Sequence, residues 1–213
     1  MDERLIKSHE KGMSMRYRAF RWTMNALGWL LFGFTVHGAE KVPGQGALIV
    51  ASNHRRYADP VFVSMAVPRR LWWMAKKEVF VGPLGRFFYF IGSFPVDREK
   101  GGRAALKAAI SLLSDGWALG IFPEGTRRKS YDPDAVPKSG VGMLAARGNS
   151  PILPVFVGRV PNPLERFRGK RLHVYIGDPI TLDGKEGGGG RAYKGFAREV
   201  LREIYTLSEG GAS

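Results

Sequence analysis

Ala47-Leu48-Ile49-Val50-Ala51 carries no polar side chain at any position. A short apolar run of this kind reads as a buried strand. The polar stretch behind it, Ser52-Asn53-His54-Arg55-Arg56-Tyr57-Ala58-Asp59-Pro60, ends on a proline. Proline is tolerated in the first turn of a helix, where its missing N–H costs nothing. Asp59 before it is biased away from helical angles. The order read here is strand, short loop bearing His54, then a helix opening at Asp59-Pro60. That order puts His54 and Asp59 near the carboxyl end of a strand, where open α/β sheets place their sites. A histidine beside a carboxylate is the pairing needed for general-base work, because the carboxylate fixes the imidazole tautomer and stabilises the imidazolium. The competing assignment makes Asp59 a helix N-cap and His54 a polar loop residue.

The same alternation recurs along the chain. Leu71–Ala75, Trp117–Phe122, Ile152–Val157 and Leu172–Ile176 read as further strands, and a strand-like stretch precedes Asp97. Pro60–Val67, Arg103–Ser114, a segment within Pro137–Arg147, and Arg191–Leu207 read as helices. His37–Gly46 reads as a loop with a Pro43-Gly44 turn, and Gly187–Gly190 as a flexible break. Strands alternating with helices argue for an α/β sheet with helices on its faces. Phe87, Phe88, Tyr89 and Phe90 are either core packing or the wall of an apolar channel.

Four blocks in fixed order carry a resemblance. They are Asn53-His54 with Asp59, Phe94-Pro95-Val96-Asp97-Arg98, Phe122-Pro123-Glu124-Gly125-Thr126-Arg127, and Ile152-Leu153-Pro154-Val155. The set resembles the blocks of the glycerolipid acyltransferases, typified by 1-acylglycerol-3-phosphate acyltransferases, and covers most of the chain from Ala47 to Val157. The resemblance implies an α/β fold with a mixed sheet flanked by helices. It implies His54 and Asp59 as the catalytic pair, with an acyl thioester (acyl-CoA or acyl carrier protein) as donor, a lysophospholipid as acceptor and no cofactor. Arg98 and Arg127 are then the phosphate ligands, since guanidinium matches phosphate oxygens bidentately. Lys76, at a strand end, either grips a phosphate or is solvated. Asn53, Glu124, Gly125, Thr126 and Lys138 are expected to orient substrate. Glu124, repelled by a phosphate, would act by orienting Arg127 or Lys138 or by bonding the glycerol hydroxyl, and Gly125 would permit a tight turn. Pro154 is expected to line the acyl channel. Arg55, Arg56 and Arg128 depart from the small or polar residues usual at such places.

Charge narrows the partners. A formal net charge of +14 and a pI near 10.3 call for an anionic partner: nucleic acid, an anionic membrane or a phosphorylated substrate. No helix-turn-helix, RNP or zinc spacing supports the nucleic-acid alternative, and the basic residues are spread out. No metal-ligand spacing links His9, His37, His54 and His173, and no G-x-S-x-G elbow appears. A hydrolase that uses His54-Asp59 on water is the remaining enzymatic rival. The chain has no cysteine, which excludes thiol nucleophiles and disulfides and fits a reducing compartment. At the N-terminus, arginines precede Trp22–Val36, a charge-free run with two glycines. A spanning helix wants about 20 apolar residues. This run is short of that, so the expectation is a helix lying in the interface of anionic membrane lipids on the cytoplasmic face. A core helix, a true span and a signal peptide compete. The expected division is residues 1–38 as the membrane-associating segment and 39–213 as the α/β domain.

Overall fold

The computed structural model describes residues 14–96, 102–128, 137–182 and 189–210. In chain order the elements are α1 (Met15–Phe32), β1 (Thr35–His37), β2 (Leu48–Ser52), α2 (Asp59–Ala66), β3 (Leu71–Lys76), α3 (Gly82–Phe90), β4 (Ser93–Val96), α4 (Gly102–Ser114), β5 (Ala118–Ile121), α5 (Gly140–Gly148), β6 (Ile152–Val157), α6 (Pro163–Phe167), β7 (His173–Ile176) and α7 (Gly189–Gly210). Single 3₁₀ turns follow β1 and β3.

The seven strands form one sheet in the order β1-β7-β6-β2-β5-β3-β4. Every pairing is parallel except β6 with β7, so the sheet is mixed. β2 lies in the middle, and its alternating side chains feed two cores. Ile49 and Ala51 join Phe94, Ala109, Leu144, Phe196 and Val200 beneath α4, α5 and α7. Leu48 and Val50 join Phe34, Phe62, Met65, Leu153 and Val155 beneath α1 and α2. A strand covered on both faces has no position for a polar side chain, which accounts for the run Leu48–Ala51.

The N-terminal run departs from its expectation in three ways. α1 begins earlier, at Met15, where the Ser14 hydroxyl accepts the Tyr17 N–H at 3.3 Å. It ends at Phe32 because Gly33 adopts a left-handed conformation (φ 61°). Thr35 and Val36, read as part of the apolar run, belong instead to β1, which pairs with β7. The boundary drawn after residue 38 therefore falls beyond an edge strand of the sheet, and within the described residues 14–38 β1 is hydrogen-bonded into the domain. One side of α1 packs inward. Tyr17 is buried under the guanidinium of Arg70, and Phe20 meets Phe87 and Phe90 edge-on. The other side is apolar and uncovered: Trp22 is 74 % exposed, Trp29 61 % and Leu30 62 %. Among the described residues no helix is long and apolar enough to cross a membrane.

Two further differences are local. The expected loop His37–Gly46 contains the end of β1 and a 3₁₀ turn, and Gly189 and Gly190, read as part of a flexible break, open α7. α6 was not foreseen. It is five residues long and is made by a capping box, in which Asn162 Oδ1 accepts the Glu165 N–H and Glu165 Oε2 accepts the Asn162 N–H.

Candidate active site

β2 is flanked by β5 and β6, all three running the same way, so their carboxyl ends deliver three loops to one place. The loop after β2 carries His54. Asp59, at the start of α2, is fully buried, and its Oδ2 accepts the backbone N–H groups of Arg55 and Arg56 at 2.6 Å each. The same oxygen lies 3.3 Å from His54 Nδ1. Asp59 is thus not the N-cap of α2. That position is Ala58, and Asp59 reaches back to close the loop around the histidine. With Nδ1 engaged by the carboxylate, Nε2 is the nitrogen available to a substrate proton.

The block after β5 locks this loop in place. Glu124 is buried, and its Oε2 accepts the His54 N–H at 3.0 Å. Its Oε1 accepts the hydroxyl of Tyr205, from α7. The Arg128 N–H donates to the His54 carbonyl at 2.8 Å. A carboxylate taken out of water needs donors on both oxygens, and these supply them. Glu124 therefore orients neither Arg127 nor Lys138; it holds the backbone of His54. Burial, then the bond to Glu124, raises the Tyr205 pKa above its ordinary value, so the hydroxyl keeps its proton and stays a donor. Tyr205 is the functional residue that sequence reasoning missed. Nothing in the amphipathic pattern of α7 separates it from its neighbours.

Gly125 has φ +68°, and a Cβ there would lie 2.7 Å from Lys138 Cγ, so the tight turn needs glycine at this position. The Lys138 N–H donates to the Pro123 carbonyl at 2.8 Å, tying the turn to the start of α5. Thr126 and Arg127 are exposed beyond it. The Arg127 guanidinium lies over the ring of Tyr57, 3.4 Å from its centroid, a cation–π contact that holds the charge beside the His54 loop. Lys76 is exposed at the carboxyl end of β3. Arg98 lies outside the described residues.

Two expected substrate contacts are placed elsewhere. Asn53 is fully buried, donates to the Val157 carbonyl at 3.0 Å and accepts the Val157 N–H at 2.7 Å. Its amide stands in for the sheet bonds where β2 parts from β6, so it braces the loop and faces no substrate. Pro154 packs against Gly177, close to Leu207 of α7. In a strand of period two it shares its face with Ile152 and Phe156, on the α7 side.

An apolar groove lies on the opposite face. The His54 ring stacks on Phe122 (centroids 3.9 Å apart, 13° between planes), and Phe122 stacks on Trp73 (5.0 Å, 22°). Trp73 in turn lines an apolar groove of about 170 Å³ walled by Phe20 and Met24 of α1, Pro60, Val61 and Met65 of α2, and Phe87 of α3. Gly120 makes the stack possible: a Cβ there would lie 2.6 Å from three atoms of the Trp73 ring. The aromatic run of α3 has residues in two settings. Phe87 lines the groove, while Phe90 packs on Tyr17 and Phe20. Among the described residues no group of three or more His, Asp or Glu side chains could hold a metal ion.

A family model described as Acyltransferase matches residues 33–158. The 1-acyl-sn-glycerol-3-phosphate acyltransferase of Bacillus subtilis (strain 168) is 31 % identical over 166 residues, 76 % of this chain and 82 % of that protein. The protein of the same name from Streptococcus pneumoniae (strain ATCC BAA-255 / R6) is 29 % identical over 206 residues, 93 % of this chain and 75 % of that one. The crystal structure of the 1-acyl-sn-glycerophosphate (LPA) acyltransferase from Thermotoga maritima matches with a TM-score of 0.65 over 98 % of this chain and 87 % of that one. At 22 % identity, that likeness shows a shared fold.

Proposed function

The chain belongs to the acyltransferase family, and on that premise we propose that it moves a fatty acyl group from a thioester to the free hydroxyl of 1-acylglycerol-3-phosphate, giving phosphatidic acid. The observation that carries this reading is the position of His54: fastened by Asp59 and Glu124 on one side, it stacks through Phe122 and Trp73 onto an apolar groove on the other. A polar base joined by two stacked rings to the wall of an apolar groove suits a reaction between a hydroxyl and an acyl chain. The names of the relatives support the acceptor.

In the proposed reaction His54 Nε2 removes the proton from the acceptor hydroxyl as that oxygen attacks the thioester carbonyl. The new C–O bond forms as the C–S bond breaks, and the imidazolium returns its proton to the departing thiolate. Asp59 holds the imidazole in the required tautomer. Arg127, with Arg98, grips the acceptor phosphate and brings one hydroxyl to His54. Lys76, Thr126 and Lys138 add polar contacts around the same opening. The donor is acyl-CoA or acyl carrier protein, and its chain enters the groove. The uncovered side of α1 rests on the cytoplasmic surface of the membrane, where the acceptor resides.

Thiol release from an acyl-CoA, measured with and without lysophosphatidic acid, tests the reading. Release that depends on the acceptor and disappears in His54→Ala is expected. Equal release without acceptor would make the protein a thioester hydrolase.

A further inference from the structure

The connection from β6 to β7 holds the most exposed large apolar side chain on the described surface, Phe167 at 91 %, with Leu164 at 59 % beside it. Neither belongs to a core, and the reaction uses neither. They stand at i and i+3 on α6, hence on one side of the turn. The turn is braced by Pro163 and the Asn162–Glu165 capping box, so both side chains are held out by a rigid support. Around them the segment 159–171 carries Arg159, Arg166, Arg168, Lys170 and Arg171 against a single acid, Glu165. That acid is already paired with Arg159 at 2.8 Å and Lys170 at 3.6 Å.

This corner adjoins the carboxyl end of α1. The Arg166 guanidinium donates to the Trp29 carbonyl at 3.5 Å, and the Leu172 N–H donates to the Phe32 carbonyl at 2.9 Å. Trp29 and Leu30, both more than half exposed, are therefore close neighbours of the α6 turn.

We propose that the α6 turn is a second membrane-contact point, in which Phe167 and Leu164 insert into the headgroup region of an anionic bilayer while the surrounding cations bind lipid phosphates. It extends the proposed function, resting on the reading that the acceptor is drawn from a membrane. Charge complementarity favours an anionic partner. Continuity with the apolar side of α1 favours a lipid surface over an acidic protein, because two apolar points at one corner can enter lipid together without a matching pocket. Two contacts, one from α1 and one from α6, fix the enzyme's rotation on the surface as well as its attachment.

The chain contains no cysteine, so Phe167→Cys offers one labelling site for an environment-sensitive fluorophore. Lys107→Cys, exposed on α4 across the sheet, is the comparison. On phosphatidylglycerol vesicles the label at 167 should shift to an apolar emission and the label at 107 should not. The paired change Leu164→Ser with Phe167→Ser should weaken co-sedimentation with those vesicles by about tenfold or more, given the apolar area withdrawn from lipid. The paired variant should still turn over a water-soluble short-chain lysophosphatidate at the wild-type rate, which separates this proposal from the function it rests on. An unshifted label at 167 on vesicles that still capture the chain overturns the proposal. So does a paired variant that binds vesicles normally but fails only with a carrier-protein donor, which would make the corner a protein dock.

Discussion

The two sides of the His54 ring are built from different interactions. On the loop side, buried polar atoms fasten it: Asp59 Oδ2 takes three donors, Glu124 spans from the His54 N–H to Tyr205, and Asn53 bridges to Val157. On the groove side, ring lies against ring from His54 through Phe122 to Trp73, and one hydrogen bond, from Trp73 Nε1 to Ser64 at 2.9 Å, fixes the outer end. Hydrogen bonds between buried groups are directional, and losing one partner strands the other at a cost of about 1–3 kcal/mol. Apolar contacts tolerate exchange when volume is conserved. The loop side therefore sets where the base sits, and the groove side sets what fits beside it. Changes to the first should act on turnover with any substrate, and changes to the second on which acyl chain is preferred.

The sharpest test of the loop side is its reacting group. His54→Ala should lower acyl transfer by about a hundredfold or more, the usual reach of a general base, with the fold intact by circular dichroism. Asp59→Asn should approach the same loss, because three donors then compete for a neutral acceptor. A variant lacking His54 that keeps near-normal transfer would sink the mechanism.

Arg127→Ala comes next. A charge-assisted bond to phosphate contributes about 1.5–3 kcal/mol, so the acceptor KM should rise roughly tenfold to a hundredfold. The donor KM should move much less. Arg127→Lys keeps the charge but loses the fork and the guanidinium contact over the Tyr57 ring, so it should recover only part of the loss. Equal rises in both KM values in two-substrate kinetics would reassign the arginine to the donor's phosphates.

Tyr205→Phe asks whether a hydroxyl outside the four blocks belongs to the loop side. It leaves Glu124 Oε1 without its donor, and kcat should fall about tenfold, toward the low end of the roughly 1–3 kcal/mol cost of one stranded buried oxygen. Both KM values should hold, because Tyr205 acts through the position of His54. A double-mutant cycle with Glu124→Gln should be non-additive, since both changes act on one network. The sign with pH follows from the raised pKa. Tyr205 holds its proton longer in the folded chain than at its ordinary 10.0, so its contribution to stability is intact below that pH and fades above it. Urea unfolding should show a shallower alkaline loss in the variant.

Much of the loop side was legible in the sequence, because its residues sit in contiguous blocks. The apolar run before His54, the proline after Asp59 and the glycine after Glu124 each state a backbone requirement that physics reads directly. What each polar side chain touches was not legible. Asn53 and Glu124 were expected to face substrate, yet both turn inward to backbone groups brought near only by the order of β5, β2 and β6. Pro154 lies in a block and is expected to line the acyl channel, but strand period puts it on the face away from the apolar groove. β1 was hidden inside an apolar run, since three residues at a sheet edge leave no periodicity to detect. Gly120 is a plain apolar position until the Trp73 ring is seen lying over it.

That glycine carries the smallest predicted effect and tests the groove side alone. In Gly120→Ala the new methyl would sit 2.6 Å from the Trp73 ring, a separation that real Cβ atoms do not sustain. β5 is held between β2 and β3, so the indole, at the wall of the groove, is the part that must yield. Its movement narrows or reshapes the slot beside Phe122 while the Asp59, Glu124 and Asn53 contacts of the His54 loop stay in place. Overpacking of this kind costs about 1–3 kcal/mol, a drop of roughly 2–12 °C in Tm for a chain of this size. Long-chain thioesters should be turned over about fivefold more slowly and short-chain ones at nearly the wild-type rate, the low end of the roughly 1–3 kcal/mol that one methylene in an apolar pocket is worth. The measurement is a donor chain-length profile at saturating acceptor. A uniform loss across all lengths would mean that the Trp73–Phe122 stack also positions His54, and the division between the two sides of the ring would have to be redrawn.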